Sequence, residues 1–522
     1  MIVGPEVTIA EASPLDERRS SRMSLFHVLA RGGTAVTFAN GLERGFGFLA
    51  NVLAARIAGP QSFGAYSLVL TTANTVSSYA GMGIGTTASR FSAESQPNTL
   101  AFRNLLRSLV LVSLISVILG SAVMLFAAAP LAQLALHKPA LTSLLRLAAV
   151  TVGGAIALEC CRGLLLGQHE FRGLIFLSAS FGITLALLLP LLAFRNTQAM
   201  VLGQAAALLT AALIGGAFAL RMVSLRKPSS LPHDSRRGSG VGSVMKFGAV
   251  QFSALMSISV TTWLIASLVT RCDGSLTQMG YYAAAGQMRN LAAMLPGILS
   301  QVSFPLLTDE KGPNYGGAGL VLGVNSCVVA LIGLVVGGSA IIVLPWLFMR
   351  LYGRSYAGAE LAAVLAIATA VVHMSSMPAA NRLLIVSLRM TGLINTLWAV
   401  VGVGLSVLLI PRAGAAGAYA ALLATHSVSS VMVLFALKRR QQVPPGLLGL
   451  TAATFAAVLG IAALGAERAL GHYGQAALAE LALLILCVGI VTYFGRARGW
   501  LPLRSLRLTD LFGQFSPWPP EK

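Results

Sequence analysis

Apolar residues occur along the chain in long blocks, and short polar breaks separate one block from the next. Each block approaches the length of about 20 residues that a helix needs to cross the hydrocarbon core of a bilayer. Because that core contains no water, a spanning segment must satisfy its own backbone hydrogen bonds, which favours α-helices. The pattern therefore predicts an all-α, polytopic membrane protein with about 14 transmembrane helices. The predicted spans are residues 27–55, 65–89, 105–130, 141–161, 173–194, 198–220, 246–270, 279–307, 318–349, 359–380, 391–411, 415–437, 447–466 and 476–495.

The composition supports a membrane protein and excludes an ordinary soluble domain. Charged residues form only 10% of the chain, and the mean hydropathy is +0.78. The net charge of +20 would suit nucleic acid, but the basic residues lie mainly in alternate breaks. About 25 Lys and Arg residues fall on the side of the termini and about 10 on the other side, which predicts cytoplasmic termini. The charge thus orients the chain, and we expect no nucleic-acid partner.

The longest polar break divides the chain after the sixth predicted span. It is rich in Ser, Pro, Gly and Arg, which is typical of a flexible linker. This division predicts two six-helix lobes, followed by two further transmembrane helices. The predicted segments are a cytoplasmic tail (1–24), an N-terminal lobe (25–223), a cytoplasmic linker (224–243), a C-terminal lobe (244–440), two extra transmembrane helices (441–497) and a cytoplasmic tail (498–522).

The two predicted lobes share a short sequence repeat, which we call the echo. Gly64-Ala-Tyr66 opens the second predicted span, and Gly280-Tyr-Tyr282 opens the eighth; each follows a Gly and a short turn. Transporters are often built from such repeats, with the substrate site at the interface of the halves. The echo therefore favours a transporter with a site between the two lobes.

Four stretches resemble one transporter family in their order and spacing. They are residues 55–66 and 81–91 around the second span, 352–360 before the tenth, and 411–418 between the eleventh and twelfth. Together they resemble the polysaccharide flippases of the Wzx type, within the multidrug, oligosaccharidyl-lipid and polysaccharide flippase superfamily. The resemblance covers roughly residues 27–440.

The resemblance implies a bacterial inner-membrane flippase without a cofactor. Its substrate would be an oligosaccharide on an undecaprenyl pyrophosphate carrier, flipped outward for a surface polysaccharide such as exopolysaccharide, capsule or the O-antigen of lipopolysaccharide. A V-shaped lumen between two lobes would carry it by alternating access. We also expect coupling to an ion, H⁺ or Na⁺. Membrane lipids, a polysaccharide polymerase and chain-length proteins would be the partners.

Ionisable residues inside predicted spans are the first candidates for a site, because they are costly there. Arg44 would contact the pyrophosphate, and Glu43 would couple transport to a cation or proton, unless the two form structural ion pairs with other spans. Arg289 in the eighth span would bind an anionic headgroup by charge-assisted hydrogen bonds, or extend to the outer interface.

Other candidates lie near the ends of spans. Arg90 would meet the incoming headgroup or merely anchor the topology. Glu159 is assigned to ion coupling, although it stands three residues before Arg162 and would also suit a structural pair. Amides serve sugar hydroxyls and interhelical hydrogen bonds equally well. The amides assigned to the substrate are Asn40, Gln287 and Asn290.

Several functions lack their sequence signatures. The chain has no phosphate-binding loop of the ATPase type and no His-Glu-x-x-His helix, so we expect no catalysis. The spacing of the five cysteines predicts no metal site or disulfide framework, and His373 and His426 are interpreted as lone packing residues. A multidrug or cation antiporter of the same superfamily stays the main alternative, although it would favour acidic groups over arginines in its lumen. Glu43 and Glu159 are the only acids interpreted as lying well inside spans. A polymerase is a weaker one, because it would need a large extracytoplasmic loop.

Overall fold

The computed structural model describes residues 14–95, 99–224, 241–303, 316–469 and 475–501, and they form α-helices joined by short connections. The helices of the N-terminal part are α1 Pro14–Gly81, α2 Ile84–Ala93, α3 Leu100–Phe126, α4 Ala128–Pro130, α5 Thr142–Leu147, α6 Ala149–Gly167, α7 Phe171–Ala193 and α8 Thr197–Ser224. Those of the C-terminal part are α9 Val241–Arg271, α10 Thr277–Ser303, α11 Gly316–Gly333, α12 Ser339–Tyr352, α13 Glu360–Val386, α14 Leu388–Arg439, α15 Leu447–Ala469 and α16 Gln475–Ala497.

Two of these helices each contain a pair of predicted spans. Helix α1 is kinked at Gly59, where φ is 75°, and α14 is kinked at Gly414, where φ is 52°. Positive φ values suit glycine because it has no Cβ, and Pro60 cannot continue the hydrogen bonding of the preceding helix. Each kink therefore stands where the sequence predicts a break between spans.

The prediction of an all-α polytopic membrane protein is confirmed. In the part of the chain that the structure describes, nine helices are long and apolar enough to cross a membrane. The count of fourteen stays a prediction. Helix α1 begins at Pro14, so residues 14–24 of the predicted tail are helical. Most of the predicted linker, residues 225–240, lies outside the described residues.

Helix packing divides the described chain into two groups. In the first, α1 packs along α7, α7 along α8, and α6 contacts α2, α3 and α8. In the second, α13 packs against α10 and α14, α9 packs against α14, and the last two helices pack on each other and on α13 or α11. The groups meet mainly along α1 and α10, so these two helices position the interface.

The echoed glycines of the sequence meet at this interface. A Cβ on Gly64 would overlap the carbonyl oxygen of Leu276 and lie 2.7 Å from the Gly280 nitrogen, and one on Gly280 would overlap the carbonyl oxygen of Pro60. Small residues let membrane helices approach to backbone contact. The two repeats thus close one end of the interface by touching each other, and we call this contact the glycine seal.

Gly280→Ala should destabilise the glycine seal. The added methyl has no room against the backbone of α1, and forced overpacking costs about 1–3 kcal/mol. We expect a lower thermal midpoint for the purified protein in detergent. Gly404→Ala is the matched control, because a Cβ there meets nothing within 4 Å. Equal midpoints for the two variants would show that the close approach is not required.

Side chains bridge the two groups at the same end. Arg56 Nη1 donates to the carbonyl of Arg350 at 2.6 Å, and the Tyr356 hydroxyl donates to the carbonyl of Ala55 at 3.2 Å. Lys138 Nζ donates to the carbonyl of Asp273 at 2.8 Å. All three bonds would have to break for the groups to separate here.

Asp273 also caps the start of α10. Its carboxylate accepts from the backbone nitrogens of Gln278 at 2.7 Å and Ser275 at 3.0 Å. Burial alone would raise the pKa of Asp273, but these donors, the Ser275 hydroxyl and nearby Lys138 together lower it. The charged carboxylate therefore stabilises the connection between α9 and α10.

Asp273→Asn should lower the thermal midpoint at pH 7, since it removes the charge and one of the two accepting oxygens, and a hydrogen bond to a charged group contributes about 1.5–3 kcal/mol. A depressed pKa stabilises the fold above the unfolded pKa, and that contribution disappears as pH falls through the folded value. The difference from the wild type should therefore shrink as pH falls from about 5 to 3. Glu467→Gln, at an exposed position, is the control. A difference that is constant with pH would contradict this account.

Candidate functional site

A cavity of about 620 Å³ lies between the two groups of helices. The two segments of α1 before and after the kink at Gly59, together with α7 and α8, form one wall. Helices α9, α10 and α14 form the other wall. Its polar and charged lining side chains are Glu43, Arg44, Asn51, Tyr66, Ser67, Thr71, Asn74, Gln204, Thr262, Tyr282, Gln287, Arg289, Asn290 and Tyr419. We call it the central cavity.

Two arginines line this cavity, one from each wall. Arg44 comes from α1 and is exposed, and Arg289 comes from α10 and is half-buried. Within the described residues, neither guanidinium has a hydrogen-bond or ion-pair partner. An unpaired guanidinium at membrane depth is costly, so both cations are available to an anionic ligand.

Glu43 lies beside Arg44 but is not free. Its carboxylate accepts from Arg162 Nη2 at 2.7 Å and from the Ser178 hydroxyl at 3.2 Å. The second terminal nitrogen of the same guanidinium, Arg162 Nη1, donates to the Glu159 carboxylate at 2.7 Å, as their spacing in the sequence indicates. One arginine thus bridges two glutamates from different helices, and the only acid that lines the central cavity among the described residues is paired.

Amides and hydroxyls supply the rest of the polar lining. Gln287 and Asn290, predicted for the substrate, line the central cavity together with Asn51 and Asn74. Sequence reasoning missed Gln204, whose side-chain oxygen accepts from the Tyr66 hydroxyl at 3.1 Å. An amide inside an otherwise apolar span was the available signal.

Three predicted site residues do not line the central cavity. Arg90 pairs with Glu94 at 3.3 Å on an exposed face of α2. Asn40 lies in α1, outside the residues that line the cavity. Glu159 borders a separate cavity of about 290 Å³ beside Gly85. The substrate roles of Arg90 and Asn40 and the coupling role of Glu159 stay predictions.

The two intramembrane histidines are not lone residues, so that part of the interpretation is wrong, while their packing role stays a prediction. His373 of α13 and His426 of α14 lie with ring centroids 4.4 Å apart, and the Trp398 ring lies 5.4 Å from His426. A gap of 53 positions in the sequence separates the histidines, and only the packing of α13 on α14 brings them together.

This arrangement suits binding of a charged, hydroxyl-rich molecule. Guanidinium groups recognise phosphate oxygens by bidentate, charge-assisted bonds, and amides both donate to and accept from hydroxyl groups. Among the described residues, no cluster of three or more His, Cys, Asp or Glu residues could hold a metal ion. The central cavity therefore offers binding groups for an anion and for sugar hydroxyls.

Comparison with known sequences gives one family. A family model described as "Polysaccharide biosynthesis protein" matches residues 29–310, which is more than half of the chain. No curated protein matches the sequence.

Comparison with solved structures gives the fold. The lipid II flippase MurJ, in an inward closed conformation, is 13% identical with a TM-score of 0.63, over 88% of this chain and 99% of MurJ. An inward-facing multidrug resistance transporter of the MATE family in the MOP superfamily is 15% identical with a TM-score of 0.59, over 78% and 98%. A MOP superfamily transporter from Pyrococcus furiosus is 15% identical with a TM-score of 0.55, over 79% and 95%. At these identities the likeness shows that this chain shares the fold of these proteins.

Proposed function

Because the chain belongs to the polysaccharide biosynthesis protein family, we propose that it flips a lipid-linked oligosaccharide across a membrane. The substrate we propose is an undecaprenyl-pyrophosphate-linked repeat unit, and the membrane is the bacterial inner membrane with both termini cytoplasmic. The product would serve a polysaccharide polymerase and its chain-length proteins in making surface polysaccharide. The family match and the transporter fold support the general class.

One observation carries the proposal: two unpartnered guanidiniums share a cavity with several amides. The guanidinium groups of Arg44 and Arg289 can each donate two parallel hydrogen bonds to an anion that carries many oxygens, as a pyrophosphate does. Arginine suits this role better than lysine because its planar fork matches phosphate geometry. The amides of Gln287 and Asn290 lie on the same helix as Arg289, within one turn of it, where they would contact the first sugars.

The same cavity offers little to a cationic drug. A cation antiporter would need a carboxylate that faces the substrate, and Glu43, the only acid lining the central cavity among the described residues, already binds Arg162. We propose that Glu43 and Glu159 instead couple transport to H⁺ or Na⁺. Because both bind Arg162, neutralising either acid would shift the pairing of the other.

Alternating access would follow from separation of the two groups of helices. With cytoplasmic termini, the glycine seal lies at the outer end of the central cavity. The headgroup would then enter from the cytoplasm while the polyprenyl tail stays in lipid. Opening outward would require the seal and the bonds of Arg56, Lys138 and Tyr356 to break.

The deciding experiment locates the substrate in a strain that lacks the gene. We expect loss of surface polymer and accumulation of single lipid-linked repeat units on the cytoplasmic leaflet, measured by accessibility of the glycan to a membrane-impermeant probe. The wild-type gene should restore both. Efflux of a cationic dye is measured in parallel.

The outcomes separate the alternatives. A normal leaflet distribution together with loss of dye efflux would overturn flipping and favour the antiporter. Trapped repeat units on the outer leaflet would indicate a failure of polymerisation and would also overturn the proposal.

A further inference from the structure

A second cavity of about 260 Å³ lies inside the C-terminal group, between α9, α10, α13 and α14. It shares Thr262, Tyr282 and Arg289 with the central cavity, so these residues form the wall between the two. The proposed transport mechanism does not use this space. We call it the histidine cavity, because His373 and His426 both line it.

Two ring nitrogens in the histidine cavity have no partner. Nε2 of His426 and Nε1 of Trp398 are buried and make no hydrogen bond, and both residues line the cavity. His426 is only 6% exposed. An indole nitrogen can only donate, and an imidazole nitrogen that carries hydrogen donates as well. Because buried polar groups are nearly always satisfied, the indole N–H of Trp398 lacks an acceptor, and His426 Nε2 can donate to the same acceptor in the tautomer that carries its hydrogen there.

The charges around the cavity indicate that this acceptor is negative. Arg289 lines it and has no partner among the described residues. No Asp or Glu lines the cavity in the part of the chain that the structure describes, so a bound cation would find no counter-charge. The hydroxyls of Ser376 and Ser430 already donate to the carbonyls of His373 and His426. Their hydrogens are therefore not directed at a ligand in the cavity. The remaining lining groups include the amides of Asn381 and Asn395, which can donate.

We propose that the histidine cavity is a second anion site, which binds an oxyanion through Arg289, His426 Nε2 and Trp398 Nε1. The oxyanion is a phosphate or carboxylate group, and it comes either free from solution or as part of the transported molecule. Arg289 is then shared between the two cavities and can pass an anion from one to the other.

The test titrates inorganic phosphate into the purified full-length protein in detergent at constant ionic strength, with binding measured by calorimetry. A second arm titrates farnesyl pyrophosphate, with farnesol as the uncharged control. Both arms use the Arg44→Gln background, which removes one cation from the central cavity only. Trp398→Phe deletes the indole N–H and keeps an aromatic ring, and His426→Phe deletes the imidazole nitrogens.

Trp346→Phe is the matched control, because Trp346 is exposed and packs on Arg350 away from the cavity. We expect each cavity variant to weaken binding about tenfold, as loss of a hydrogen bond to a charged group does. Weakened phosphate binding supports a free anion, and weakened binding of farnesyl pyrophosphate alone supports an anion carried by the lipid.

Unchanged affinities for both probes in both cavity variants would overturn the proposal. If His426→Phe does not fold, Trp398→Phe alone decides, since it conserves the ring. A negative result leaves the proposed flipping function standing, because the deletion strain tests that function separately by the leaflet in which the repeat units accumulate.

Discussion

Arg44→Gln is expected to slow flipping of the lipid-linked oligosaccharide by about 10- to 100-fold. A hydrogen bond to a charged group contributes about 1.5–3 kcal/mol, and each 1.4 kcal/mol corresponds to about a factor of ten. Arg44 has no partner among the described residues, so its removal should not leave another protein charge unpaired. The rate is measured in proteoliposomes by the accessibility of the glycan to an added probe.

The control for Arg44 is an arginine of equal charge outside the cavity. Arg195 is exposed in the connection between α7 and α8 and does not line the central cavity. Arg195→Gln removes the same net charge and should leave the rate unchanged. Arg44→Lys should give an intermediate rate, because lysine keeps the charge but loses the fork. Equal rates for Arg44→Gln and Arg195→Gln would remove Arg44 from the site.

Arg289 tests whether both cations hold one headgroup. If Arg44 and Arg289 bind the same pyrophosphate, their single substitutions should not be additive, and the double variant should show a coupling energy of about 0.5–3 kcal/mol. Independent effects would place the two arginines on different ligands. That result would favour an anion held in the histidine cavity by Arg289, without Arg44.

The sequence predicts the helices well because hydropathy is a local property. The breaks at Gly59 and Gly414 are marked by glycine next to or near proline, and both prove to be kinks inside longer helices. Periodicity cannot distinguish a kink from a loop, since both interrupt the apolar run. The close approach of Gly64 and Gly280 was visible only as an echo between two turns.

The candidate site was only partly predictable, because ionisable residues in spans are visible but their partners are not. Arg44 and Arg289 stand out against apolar neighbours, and both line the central cavity. The bond from Arg162 to Glu43 joins residues 119 positions apart, which no local pattern reveals. Arg90 is the opposite case: its partner Glu94 lies one helical turn away, so this ion pair could be read from the local sequence.

The last two helices contain a pair of charges that sequence reasoning overlooked. Arg468 of α15 binds Glu480 of α16, with 7% and 0% of the side chains exposed. Glu480 is thus a further acid inside a predicted span, where sequence analysis named only Glu43 and Glu159. Arg468 Nη2 also donates to the carbonyl of Ile342 in α12 at 2.7 Å. The pair therefore fastens the two C-terminal helices to the C-terminal group.

Arg468→Met is expected to lower the free energy of unfolding by about 3–5 kcal/mol, because it leaves Glu480 buried without its cation. The double variant Arg468→Met/Glu480→Leu should recover part of that loss, since it removes one uncompensated carboxylate and leaves Glu360, which is also buried and interacts with the charge of Arg468. Thermal unfolding of the purified protein in detergent compares the variants, with Glu467→Gln as the control at an exposed neighbour.

The double variant decides what the ion pair contributes. If it is as unstable as Arg468→Met, the pair stabilises the fold through its own attraction or through the bond to Ile342. If it regains stability, the cost in the single variant comes from the unpaired carboxylate. Flipping by a stable double variant would then show that α15 and α16 need only to be attached. Loss of flipping at full stability would assign the charges themselves to transport.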